Sequence, residues 1–187
     1  MQGKSQNMKH IATIQEKDIF PDKIPSEEKI SFEDRLTGKV ILFDTENRIA
    51  LIGTTVNTFL VLPGGGIDPT ESIENGIIRE AKEETGCVIS LKQSIGTIED
   101  YRNRDKKHCV THCYIGTVEG EKGQPFLTKE ELSNGLYVQW VYFYEAEEIL
   151  KNEVTQVKEG GVDFYNTCFN IARDYLFILE AKKKLAV

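Results

Sequence analysis

The stretch from Leu62 to Cys87, LPGGGIDPTESIENGIIREAKEETGC, constrains this chain more than any other part of it. A short apolar run, TFLVL, stops at Pro63 and three glycines, Gly64 to Gly66. A helical pattern follows. Ile73, Ile77, Ile78 and Ala81 recur at helical spacing between residues 71 and 85. Gly86 then stands where a helix C′ residue belongs. Pro69 and Thr70 mark the helix start, although residue 73 is not the acid of a capping box. The order is therefore strand, glycine loop, helix.

That helix carries charge where helix physics disfavours it. Glu80, Glu83 and Glu84 are spaced i, i+3, i+4 and share one face within about 100° of arc. Like charges at that spacing cost a few tenths of a kcal/mol per pair. Glu83 and Glu84 also lie in the last turn, where the helix dipole opposes negative charge by about 0.3–1 kcal/mol each. A bound divalent cation reverses the sign of that cost. An all-oxygen donor set selects a hard ion, so Mg²⁺ is expected, with Mn²⁺ as a substitute. The glycines let a main-chain group approach a metal or a phosphate closely. Arg79 and Glu71, eight residues apart, can pair across the loop and fix it to the helix. Taken alone, REAKEE is an ordinary solvated helix face and GGG an ordinary turn; their register together is what makes them informative.

The chain has 187 residues, which suits one domain, or one domain with an arm. A chain of this size buries roughly two-thirds of its unfolded surface and needs no disulfide staples. The net charge of −7 argues against a protein that coats a nucleic-acid backbone, so no stable nucleic-acid complex is expected. A phosphorylated small molecule remains compatible if a cation mediates the contact. No apolar run has the length of a membrane span, and MQGKSQNMKH lacks the apolar core of a signal peptide. Cys87, Cys109, Cys113 and Cys168 contain no C-x-x-C pair, which suits reduced thiols in a cytoplasmic protein.

Along the chain, residues 1–35 read as an N-terminal arm and 36–187 as the main domain. In the arm, HIATIQEKDIF can add a short strand before Pro21 and Pro25 break it, and SEEKISFEDR suggests a helical turn. Regular structure is expected from Lys39, with KVILFD and RIALIGTT as a hairpin and TFLVL as a further strand. After the acidic helix, CVISLKQSIGTIEDY and CVTHCYIGTVEG read as strands joined by a polar tip, YRNRDKKH. A long polar loop, the strand LYVQWVYFY and the short helix EAEEILKNE follow. Residues 162–184 form a C-terminal helix with Phe164, Cys168, Ile171, Tyr175, Ile178 and Leu179 on one face. The class is α/β, a mixed sheet between helices.

Gly65, five residues, Glu71, seven residues, then Arg79-Glu80-Ala81-Lys82-Glu83-Glu84-Thr85-Gly86-Cys87 resembles the Nudix box, the signature of the Nudix hydrolases. Every fixed position matches, and Ala81 and Cys87 stand as small apolar residues where bulkier ones are usual. The resemblance implies an α/β/α sandwich. It also implies Mg²⁺-dependent attack of water on a diphosphate in a nucleoside diphosphate derivative. By position it makes Glu83 and Glu84 metal ligands, Glu80 a ligand or the base, and the Gly65 carbonyl a further ligand. The substrate range left open is NTP or dNTP, an ADP-ribose-like compound or a nucleotide sugar. The proline that many ADP-ribose pyrophosphatases of the family carry would fall near Asn103 and is absent. The resemblance leaves a nucleotide-sensing module without turnover as the alternative, and a homodimer is common in the family.

Candidates outside the box are fewer. Arg102 and Arg104, in a run with Lys106 and Lys107, can clamp a phosphate at the mouth of the site. Glu99, Asp100, Glu130 and Glu131 are candidates for an extra metal ligand or base. Tyr101, Phe59 and Trp140 offer rings to stack on a base. Cys109 and Cys113 alternate with His108 and His112 on opposite faces of a strand, which makes one zinc site from all four hard to build.

Overall fold

The computed structural model describes residues 8–21 and 29–185. Met1–Asn7, Pro25 and the first part of the helical turn expected from Ser26 lie outside the described residues. The elements are β1 (His10–Ile14), α1 (Glu16–Ile19), β2 (Glu33–Phe43), β3 (Arg48–Thr54), α2 (Ile73–Thr85), β4 (Ile89–Arg102), β5 (Lys107–Val118), α3 (Lys129–Ser133), β6 (Leu136–Tyr142), α4 (Phe143–Lys158) and α5 (Tyr165–Leu185). Six strands form one mixed sheet in the order β1-β4-β5-β2-β3-β6. The pairs β1–β4 and β2–β5 are parallel, and β4–β5, β2–β3 and β3–β6 are antiparallel.

Each face of the sheet buries its own core. One core joins Ile41, Leu51, Leu62 and Ile98 to Leu150 of α4 and to Phe169 and Phe177 of α5. The other packs Val40, Leu42 and Ala50 against Ile77 and Ala81 of α2. The molecule is thus an α/β/α sandwich. Helix α2 lies on the second face, with Ile77 and Ala81 toward the sheet and Glu84 toward the glycine loop.

Several elements differ from the sequence expectation, each for a local reason. Strand β2 begins at Glu33 rather than Lys39, so no helical turn forms at 33–35. Its first residues are polar and exposed, and only the ladder to β5, from Glu33↔Lys107 to Phe43↔Thr117, makes them strand. Helix α2 starts at Ile73, not near Thr70. Ser72 is its N-cap and accepts from the Asn75 amide at 3.2 Å. Helix α4 is longer than EAEEILKNE because Glu145 folds back to accept from the Tyr142 amide at 2.8 Å and opens the helix early. Phe164 precedes α5 and is exposed, unlike the rest of its expected face.

The hairpin β2–β3 has an unusual opening. An Asp44 carboxylate closes its turn, accepting from the Glu46 and Arg48 amides and from the Arg48 and Lys122 side chains. These donors hold its carboxyl down at about 2. Beyond Phe43↔Ile49 the two strands part, and residues 61–67 run between them. Val61 pairs with Ile52 of β3, while Pro63, Gly65 and Ile67 bond to Val40, Gly38 and Leu36 of β2. TFLVL is therefore not a ladder strand of its own but the start of a wedge.

Glu153 of α4 is buried and accepts from the Leu60 amide at 2.8 Å through Oε1. Its Oε2 has no hydrogen-bond partner among the described residues. Burial pushes its carboxyl up to about 7. A raised carboxyl favours the folded state below its unfolded pKa of 4.5 and withdraws that support as pH rises to about 7. Between pH 4.5 and 8, Glu153→Gln should therefore gain about 3 kcal/mol relative to the parent. Urea unfolding of both proteins across that range measures the change; parallel pH profiles would contradict it.

Candidate functional site

The wedge between β2 and β3 carries the glycine loop, and its two edges are bonded differently. Odd-numbered residues from Val61 to Ile67 bond to the sheet. The amides of Leu60, Leu62 and Gly64 face the helices, and each meets a carboxylate from a different one. The Leu60 amide donates to Glu153 of α4 at 2.8 Å, the Leu62 amide to Asp174 of α5 at 2.9 Å, and the Gly64 amide to Glu84 of α2 at 2.7 Å. From the sheet side, the Lys39 ammonium donates to the Leu62 and Gly64 carbonyls, each at 2.7 Å. The loop is thereby held by charge-assisted bonds at every second residue.

Two glycines are required by geometry. Gly64 has φ 128°, and a Cβ there would meet the Gly38 carbonyl. A Cβ at Gly65 would occupy the space of the Glu80 carboxylate. Removing both side chains is what lets the loop lie against the acids of α2.

Arg79 organises those acids. Its Nη2 and Nε contact Glu71 at 2.7 and 3.2 Å, and Nη2 also donates to the Gly66 carbonyl at 3.0 Å. Its Nη1 contacts Glu80 at 2.7 Å and Glu83 at 3.2 Å. Glu71 in turn accepts from the Asp68 amide, and its carboxyl is held low chiefly by Arg79. Glu84 is different. Burial pushes its carboxyl up to about 7, against the opposing pull of Lys39 and the Gly64 amide. Lys39 is itself buried, which pulls its ammonium down, with Asp174 and Glu84 opposing. Among the described residues no three acid, His or Cys side chains converge as a ready ligand cluster. Glu80 and Glu83 turn to Arg79, and Glu84 to the loop. The Gly65 carbonyl accepts from the Gly38 amide at 2.9 Å and keeps a second lone pair.

The last turn of α2 is closed from outside. Gly86 has φ 71° as its C-cap, and a Cβ there would strike the backbone of Gln124. The Phe126 amide donates to the Glu83 carbonyl at 2.7 Å. The long loop after β5 thus packs across the end of the acidic helix.

A family model described as NUDIX domain matches residues 35–160. The chain belongs to the Nudix hydrolase family. It is 30% identical over 82 residues to an ADP-ribose pyrophosphatase of Methanocaldococcus jannaschii, covering 42% of this chain and 48% of that protein. It is 32% identical over 81 residues to a putative 8-oxo-dGTP diphosphatase of Bacillus subtilis, covering 43% and 52%. The match spans about half the length of these curated relatives. A solved NUDIX hydrolase from Nitrosomonas europaea superposes with a TM-score of 0.53 at 18% identity, over 68% of this chain and 87% of that one, and so shares the fold.

Outside the box, this Nudix chain distributes the remaining candidates widely. Asp100 is fully buried and bonds to Arg102 at 2.6 Å, away from the α2 acids. Glu99, its neighbour, points to the other face and meets His108 at 3.1 Å. Glu131 caps α3 through Thr128, yet its charge is felt at Glu84. The Glu130 side chain lies outside the described residues. Tyr101 stacks on His108 at 4.4 Å between centroids. Phe59 packs on the α4–α5 core. Trp140 lies under the Lys122 ammonium at 3.8 Å. None of these rings faces the loop cleft. Arg104 lies over the Tyr165 ring at 3.9 Å and pairs with Asp105, outside that cleft. Arg102 does line it.

The cleft is about 210 Å³ and opens beside Gly64 and Gly65, with α5 along one side. Lys39, Asp174 and Arg173 were not singled out by sequence reasoning. Asp174 had a signal: it falls three residues after Ile171 and four before Ile178, on the apolar stripe of α5. Lys39, at the edge of a short apolar run, had none. Asp174 joins the Leu62 amide to Arg173, whose Nε donates to it at 3.0 Å. Asp174→Ala should leave the buried Leu62 amide unpaired and Arg173 with only its longer contact to Asp100 at 3.8 Å, with a loss of about 3 kcal/mol, while Asp174→Asn loses less. Urea denaturation midpoints of the two variants check this; equal losses would refute it.

Proposed function

We propose that this chain hydrolyses a diphosphate linkage in a nucleoside diphosphate derivative, with a divalent cation as cofactor. The observation that carries this reading is the meeting of the glycine loop and the acid face of α2. The Glu80 carboxylate lies against Gly65, and Glu84 is bonded to Gly64. Glu80, Glu83, Glu84 and the Gly65 carbonyl form an all-oxygen donor set, which suits Mg²⁺ and admits Mn²⁺. When bound, such an ion lowers the pKa of water and neutralises charge on the phosphates.

The chain's own residues supply the rest. Arg79, braced by Glu71, holds Glu80 and Glu83 near the loop, where they would help hold a cation. A carboxylate of this group, Glu80 by position, takes the proton from the attacking water. The water oxygen forms a bond to one phosphorus, the bridging P–O bond breaks, and its electron pair leaves on the second phosphate. The candidate substrates are NTPs or dNTPs, ADP-ribose-like compounds and nucleotide sugars. The relatives named above act, by their names, on two of these classes.

The test is a product assay over such a panel with Mg²⁺, Mn²⁺ or EDTA. Turnover of one class should require the cation, and Glu83→Gln should lower it about 100-fold or more without changing the melting temperature by much. Binding of a nucleotide with no turnover of any panel member would replace this reading with a sensing module.

A further inference from the structure

The cleft beside the glycine loop shares Gly64 and Gly65 with the candidate site, and the rest of its wall is made of residues given no part in the diphosphate chemistry. Five of its lining side chains are cationic: Arg35 and Lys39 from β2, Arg102 from β4, Lys107 from β5 and Arg173 from α5. Among the described residues no acid and no aromatic ring lines it. Asn166 and Asn170, one helical turn apart on α5, line it as well.

Three layers of charge can be separated. Arg102 and Arg173 are buried and already balanced by Asp100 and Asp174. The two amide oxygens of Asn166 and Asn170 each accept from the Arg102 guanidinium at 3.0 Å, so its plane is fixed toward the cleft. Lys39 is bonded to carbonyls rather than to an acid. Arg35 and Lys107 make no ion pair and no side-chain hydrogen bond among the described residues. They lie on neighbouring strands, Arg35 directly in register with Cys109 and Lys107 with Glu33. A purine or pyrimidine would find no apolar platform on this wall, since stacking needs a ring or a flat apolar face. A tetrahedral oxyanion would find fixed N–H donors and unbalanced positive charge, in a protein whose net charge is −7.

We propose that this cleft binds a phosphate group of the substrate other than the diphosphate that is cleaved. The preferred substrates are then diphosphates that carry a further phosphomonoester, not ones whose second half is a neutral sugar or a base. This inference rests on the hydrolase reading for the word substrate, but the anion site itself does not depend on it.

The two arms of the test separate these. In the first, inorganic tripolyphosphate is titrated into the full chain in EDTA by calorimetry, so that no metal and no turnover are involved. The parent should bind it. Arg35→Gln with Lys107→Gln should weaken it about tenfold or more, and Arg35→Lys with Lys107→Arg should restore it. These two positions are chosen because neither belongs to the buried ion pairs, and melting curves confirm that the variants fold. No binding by the parent, or binding unchanged in the Gln variant, overturns the proposal. In the second arm, Mg²⁺-dependent hydrolysis is compared within matched pairs that differ by one phosphomonoester, NADPH against NADH and coenzyme A against its dephospho form. A higher kcat/KM for the phosphorylated member, lost in the Gln variant, supports the cleft as a specificity site. Equal values within each pair overturn it and leave the hydrolase reading standing. If no diphosphate is turned over at all, the hydrolase reading fails and the calorimetric arm alone decides the anion site.

Discussion

The structure depends on how one extended segment satisfies its backbone. Residues 60–66 run between β2 and β3, so only one edge meets the sheet. The other edge presents the amides of Leu60, Leu62 and Gly64 to an interior without a neighbouring strand. Left unpaired, buried amides would each cost about 1–3 kcal/mol. Glu153, Asp174 and Glu84 take them, one acid from each long helix. The same three bonds therefore set the loop, the packing of α4 and α5 on one side of the sheet, and the height of α2 on the other. A carboxylate can do this where a neutral acceptor could not, because its bond to an N–H is strong enough to offset part of its own desolvation. The offset is partial for Glu153 and Glu84, whose carboxyls are both pushed up to about 7.

Charge in the site is balanced in a chain of neighbours. Lys39 lies under the loop and feels Asp174 and Glu84 most. Glu84 feels Lys39 from one side and Glu80 from the other. Glu80 shares Arg79 with Glu83 and Glu71. Arg79 thus answers the like-charge problem posed by three acids on one helix face, and it does so from the same helix. Its salt bridges are half-exposed and modest in energy. Their consequence is positional: the acids stay beside Gly65 instead of turning to solvent.

The acidic helix, its C-cap and its place beside the glycines were legible because local rules fix them. Helical spacing, a left-handed glycine and i, i+4 acids need no distant partner. The sandwich was legible from the order of apolar runs. What was not legible depends on pairing at long range. Residues 33–38 have no strand pattern, and only β5 makes them a strand. TFLVL looks like a strand by composition, yet only Val61 pairs with β3, and the Leu60 and Leu62 amides go to helix carboxylates. Glu153 and Asp174 each fall on the apolar stripe of a helix, a departure from pattern that in hindsight marks a buried acceptor. In sequence Asp100 stands as a candidate ligand or base and Arg102 as part of a polar tip; both are buried, on a strand whose register on β5 is shifted by two bulges.

The cationic cleft follows from that same hidden network. An acidic chain can concentrate positive charge only where folding gathers it from separate elements, and here four contribute: β2, β4, β5 and α5. Asp100 and Asp174 make this affordable by balancing Arg102 and Arg173 from behind the wall. They also hold those guanidiniums still, so a ligand need not order them. Arg35 and Lys107, nearer solvent, need no such balance because water screens them. The wall is therefore rigid at its base and uncompensated at its rim. That distribution is hard to explain as structural support alone, since support would be complete with the buried pairs. It is the distribution expected of a surface shaped around an anion that arrives from outside.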